Sequence, residues 1–128
     1  NALEKAFENL QKFNAEDIEY EIYRSAVIKE FEIILEQSGK LLKKALKPYF
    51  HSAKAIDKLY FKDIFREAGI HSLLEIEEVE RWLIYRDNRN STTHDYGHGL
   101  ANNTLPLINQ FIIDSRKLAK VIQDVNQR

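Results

Sequence analysis

Cysteine is absent from the 128-residue chain, which excludes a disulfide framework and any thiolate metal site. Only four glycines and two prolines are present. A chain with so few breakers is expected to run in long helices. No apolar run approaches the roughly 20 residues that span a membrane, and no signal-peptide pattern opens the chain. The cytoplasm is therefore the expected compartment, with no membrane partner. Strong charge of one sign is lacking as well. Nineteen basic residues face 20 acidic ones, a formal net charge of −1. A protein that grips long nucleic acid mainly by charge is more basic than this, so any polyanion contact has to come from a local patch. There is no internal repeat, low-complexity tract, glycine-rich phosphate loop or nucleophile elbow.

What is present is an ordinary globular balance, 44% hydrophobic and 30% charged, enough for one cored domain over residues 1–128. Apolar periodicity predicts a first helix over 2–13, with Leu3, Ala6, Phe7 and Leu10 on one face. Asp17 is the expected cap of a second, longest helix. Its seam is Val27, Phe31, Ile34, Ser38, Leu41 and Ala45, widened by Ile22, Leu35, Leu42 and Leu46. Ser38-Gly39 predicts close approach of a neighbouring backbone, and Pro48 an end near Lys47. Residues 48–58 read as a connection with room for one helical turn. A short third helix is expected over 59–68, capped by Gly69. Ser72 and Glu75 have capping-box spacing, so a fourth helix follows with Ile76, Val79 and Leu83 inward and Trp82 as packing. The last helix carries Leu105, Ile108, Ile112, Ser115, Ala119 and Ile122, with Pro106 forcing a start or kink near Thr104. The expected fold is all-α, an up-and-down four-helix bundle with one additional short helix.

Site chemistry concentrates between Arg86 and Tyr96. The inward stripe of the fourth helix runs on through Arg86, Asn90 and His94, with Arg89 and Thr93 beside it. Burying charge is costly unless it is paired, so this end is expected to open into a cleft or an interface. Arginine clamps phosphate oxygens in pairs of hydrogen bonds, and histidine moves protons near neutral pH. The combination suits phosphodiester or phosphoryl chemistry. A plainer reading stands beside it: Arg and Asp at this spacing make surface ion pairs of little worth, and helix C-termini attract Arg and His. His94 and His98 have a metal-pair gap, but Gly97 interrupts the helix between them, so no metal site is expected. His51 and His71 stand alone and read as capping or solvated. The acidic run from Glu75 to Glu80 opens a helix and reads as a solvated face.

Arg89, four residues, His94, one residue and Tyr96 resemble the signature of the HEPN family, in the branch of nucleotidyltransferase substrate-binding proteins. Residues 26–44 resemble that branch's long second helix. F-R-E-A-G-I at 65–70, Trp82 and R-N-S-T-T-H-D-Y resemble its second half. The resemblance implies a homodimer in which the Arg and His of both subunits meet across a composite cleft. It also implies a separately encoded minimal nucleotidyltransferase as partner. Several members are metal-independent ribonuclease toxins, which the transferase silences, in some cases by adding AMP to the motif tyrosine. Others hold a substrate without cleaving it. Carried over, His94 is the general acid/base and Arg89 the phosphate clamp. Arg86, Asn90 and Thr93 are substrate contacts, and Tyr96 is the modification residue. No cofactor is implied.

Three functions follow from this: a nucleotide- or RNA-directed partner subunit, a ribonuclease toxin acting through Arg89 and His94, or a purely structural dimerisation module. All three expect a dimer. Light scattering at micromolar concentration should report twice the chain mass, and a clean monomer overturns the composite cleft.

Overall fold

The computed structural model describes residues 1–92 and 103–127. Among them are six α-helices and no strand. They are α1 (Ala2–Leu10), α2 (Ile18–Ala45), α3 (Ala53–Asp57), α4 (Phe61–Ile70), α5 (Ile76–Thr92) and α6 (Ile108–Asn126), with single 3-10 turns at Lys47–Tyr49 and Leu105–Leu107. The all-α bundle expected from periodicity is the fold observed. The five-residue α3 occupies the connection where one helical turn was expected. No described helix is long and apolar enough to cross a membrane.

Helix α1 buries Leu3, Ala6 and Leu10. Asp17 stands at the start of α2 in extended conformation, but its carboxylate does not cap the helix. It turns back instead to accept the Asn14 amide at 3.0 Å. Along the 28-residue α2 the buried stripe is Val27, Phe31, Leu35, Ser38, Leu42 and Ala45. The expected seam is thus rotated toward Leu35 and Leu42, and Leu41 is left 50% exposed and Ile22 59% exposed. The rotation has a packing cause. Gly39 is buried against the Phe61 ring of α4, and a Cβ there would stand 2.8 Å from the ring carbons. The small pair therefore admits an aromatic side chain rather than a backbone.

Helices α4 and α5 form an antiparallel hairpin, with Phe65 stacked on Trp82 at 4.8 Å and Gly69 facing Val79. Gly69 is inside α4, not its cap. The turn after α4 is made by Ser72, which takes a left-handed φ of 61°. Ser72 and Leu73 donate to the Gly69 and Ala68 carbonyls at 3.1 and 2.9 Å, the paired closure that ends helices at a left-handed residue. Ser72 therefore terminates α4 and does not open α5. The Glu75 amide is met instead by Glu78 at 3.4 Å. Ile76, the first residue of α5, is not inward as expected but 71% exposed.

Five rings from four helices fill the centre: Phe31, Phe65, Trp82, Tyr85 and Phe111, all fully buried. Phe111 lies 4.6 Å from Phe31, 4.9 Å from Tyr85 and 5.6 Å from Trp82, distances at which edge-on and offset pairs attract. On α6 the stripe runs through Ile108, Phe111, Ile112, Asp114, Leu118, Ile122 and Val125, while Ala119 is exposed and Ser115 only half-buried. The expected Ser115–Ala119 seam is replaced by the residues one position earlier, Leu118, which packs in the core, and Asp114, which is buried among hydrogen-bond donors.

Asp114 in that stripe has no exposed surface. Its Oδ2 accepts from Arg81 Nε at 2.8 Å and from the Tyr85 hydroxyl at 2.5 Å. Its Oδ1 accepts from Arg81 Nη2 at 2.9 Å and from Gln110 at 3.2 Å. Burial alone would raise the carboxyl pKa, but the donors from Arg81, Tyr85 and Gln110 outweigh it and hold the group below its usual value. Burial, reinforced by the bond to Asp114, pushes the Tyr85 phenol far up. A carboxyl depressed on folding adds stability that is complete above its unfolded value of about 4 and disappears as pH falls through the lower folded value. Asp114→Ala removes four hydrogen bonds and leaves a buried phenol without an acceptor. It should cost about 3 kcal/mol at pH 7, the low end for a broken buried pair because Arg81 can regain water. That is roughly 10 °C in Tm, measured by thermal unfolding, and the gap should narrow below pH 4. A loss near zero, or a gap that widens in acid, contradicts this account.

Candidate functional site

Helix α5 is amphipathic in its first half and charged on the same side in its second. Once Trp82 and Tyr85 are fixed in the core, the next turn must carry Arg86 and Arg89 along the edge of α2. Both guanidiniums reach Glu36 there. Arg89 Nη1 lies 3.2 Å from Glu36 Oε1, and Arg86 Nη1 lies 3.8 Å from Oε2. The arginine side chains are about three-quarters buried, at 25% and 26% exposure. Arg86 also rests over the Phe61 ring, its Cζ 5.1 Å from the centroid, an attractive cation–ring placement. The same Phe61 fills the space above Gly39. The neighbouring Lys62 and Asp87 pair at 2.5 Å and so link α4 to α5 beside the arginines.

One carboxylate is shared between two cations here. A carboxylate offers about four acceptor positions, whereas each guanidinium presents five donors. The Arg86 Nη1 atom is shielded from solvent and makes no hydrogen bond among the described residues. A shielded guanidinium N–H without an acceptor favours an incoming anion with several oxygens.

Of the residues expected from the sequence, Arg86 and Arg89 are brought together on one side of α5. Asn90 falls on the last turn of that helix. Thr93, His94, Tyr96 and His98 lie outside the described residues. His71 does cap a helix, at the end of α4, with its ring 4.6 Å from that of Tyr49. His51 is exposed. Glu36 and Phe61 were not anticipated as parts of the site. Their only signal was indirect: Glu36 stands three residues before Gly39 in the long-helix stretch, and nothing local marks it as an arginine partner.

The family described as nucleotidyltransferase substrate binding protein like matches residues 1–124. A Haemophilus influenzae protein named "Probable ribonuclease HepT" is 34% identical over 103 residues, which is 80% of this chain and 69% of that protein. A solved Haemophilus influenzae structure, described as revealing the fold of a substrate binding domain of a nucleotidyltransferase, superposes with a TM-score of 0.74 at 30% identity. That superposition covers 94% of this chain and 96% of the other. A Thermus thermophilus crystal structure follows at a TM-score of 0.63 and 25% identity, over 96% and 98% of the two chains.

Proposed function

The chain belongs to the nucleotidyltransferase substrate-binding protein family, and on that premise we propose that it is the partner subunit of a separately encoded minimal nucleotidyltransferase, holding the phosphate of a nucleotide or RNA end at Arg86 and Arg89. The observation that carries the reading is the pair of guanidiniums that meet at Glu36, with an Arg86 N–H shielded from solvent and without a hydrogen bond among the described residues. In this reading Glu36 keeps both arginines aligned while the site is empty, so little side-chain entropy is lost when phosphate arrives. Arg89 clamps the phosphate, Arg86 adds a second set of donors, and Asn90 and Thr93 orient the group. His94, five residues beyond Arg89, stands as proton carrier. Two copies of the chain form the cleft. Tyr96, two residues further on, is the point at which a partner could add AMP and fill the site with its own phosphate.

A second reading is favoured by the 34% identity to the probable ribonuclease. There the substrate is RNA and His94 of one protomer takes the proton of a 2′-hydroxyl. The O2′–P bond forms, the P–O5′ bond breaks, and His94 of the other protomer returns a proton to the leaving 5′-oxygen. Arg89 stabilises the charge that builds on the phosphorane oxygens. No other reactant is consumed.

Two measurements test these readings. Calorimetric titration of AMP and ATP into the protein, alone and with its transferase, should give binding that Arg89→Ala weakens at least about tenfold, as for loss of a charged hydrogen bond. No heat in either setting overturns the binding role. Incubation with a mixed RNA pool in chelator decides between the two. Cleavage that vanishes in His94→Ala establishes the ribonuclease. A folded, AMP-free dimer that cleaves nothing leaves the binding subunit.

A further inference from the structure

The second half of α2 carries a charge pattern that the reading above does not use. From Gln37 to Lys47 the chain holds four lysines and no carboxylate, in a protein whose net charge is −1. Steps of four, four and three residues from Glu36 lead to Lys40, Lys44 and Lys47, so these lysines continue the face of α2 that holds the arginine pair. All three are exposed, and none has an ion pair among the described residues. Lys43, on the flank, is 4.0 Å from Asp57 of α3. Between α2 and α3 lies an open groove of about 640 Å³. Its walls carry the four lysines, and Leu41 and Ile56 supply an apolar strip.

Lysines near a helix C-terminus also answer the helix dipole. That explains Lys43 and Lys44 in the last turn. It does not explain Lys40, more than a turn earlier, or Lys47, beyond the end of the helix at Ala45. A row of cations at one-turn intervals matches a ligand whose negative charges repeat along a line. The geometry points to this groove as a track for the sugar-phosphate backbone of single-stranded nucleic acid, leading away from the phosphate seated at Arg86 and Arg89. Eleven residues from Glu36 to Lys47 span about 16 Å, or about five nucleotides at the ~3.4 Å rise of a stacked strand. Leu41, half exposed, and the lysine stems offer apolar surface to sugars and bases. The track rests on the phosphate role of the arginine pair and adds length to it: the ligand is a polynucleotide strand, not a mononucleotide.

The test compares two ligands and two proteins beside the wild type. One ligand is AMP, followed by calorimetry. The other is a fluorescein-labelled 2′-O-methyl octaadenylate, followed by anisotropy, in which the attacking hydroxyl is blocked so that cleavage cannot intervene. The proteins are Lys40→Gln/Lys44→Gln/Lys47→Gln and Arg89→Ala. The octanucleotide should bind wild type at least about tenfold tighter than AMP, and the triple variant should lose that gain but keep AMP binding. Its slope of log affinity against log salt should fall by about 2, at ~0.7 for each phosphate that no longer meets a lysine. Unchanged affinity and slope in the triple variant overturn the track. So does competition by polyglutamate as strong as by polyadenylate, which would make the groove a seat for an acidic protein. If Arg89→Ala keeps AMP binding while the triple variant loses the octanucleotide, the track stands and the arginine reading falls.

Discussion

A carboxylate sealed inside a helical bundle must collect donors on every side or lose its charge. Asp114 collects four, and two of the three residues that supply them, Arg81 and Tyr85, sit one turn apart on α5. That arrangement sets the rotation of α5 about its axis and its height along α6 together. With Tyr85 held edge-on to Phe31 and Phe111, the turn that follows has one direction left. It carries Arg86 and Arg89 to Glu36. The arginine pair is thus positioned by a buried anion on its own helix's neighbour, which an apolar contact could not do with the same specificity.

Much of this was legible in residue types alone: the apolar period of α1, the length of α2, the existence of α5 and the charged character of its end. Where periodicity misleads, the cause is tertiary. Leu35 and Ile34, or Leu42 and Leu41, satisfy periodicity equally well, and only the Phe61 ring against Gly39 decides between them. Ser72 takes the helix-ending role expected of Gly69, because the left-handed turn is made by serine rather than glycine. Asp114 does leave a trace: it interrupts Phe111 and Leu118 at helical spacing. An acid on an apolar stripe signals a partner, but the partner's identity lies on another helix. Glu36 is the same case at the site, one solvated acid among many until the fold sets it beside two arginines.

The near-zero net charge conceals an ordered distribution. Helix α2 opens with Glu19 and Glu21 in its first turn and closes with Lys43 and Lys44 in its last, the sense its dipole favours. Glu36 lies between these ends and answers cations from α5. A sum over the chain averages these regions away, whereas a ligand approaching within a Debye length of about 8 Å responds to the nearest one.

Phe61 touches two things at once, the bare face of Gly39 and the underside of the Arg86 guanidinium. Gly39 sits deep in a long helix, where glycine is disfavoured by about 1 kcal/mol against alanine. A single methyl group there would displace the ring, and the ring would displace the arginine. Position 39 is therefore constrained from the far side of an aromatic spacer. A buried residue with no polar side chain thus shares the constraint on the arginine it does not touch.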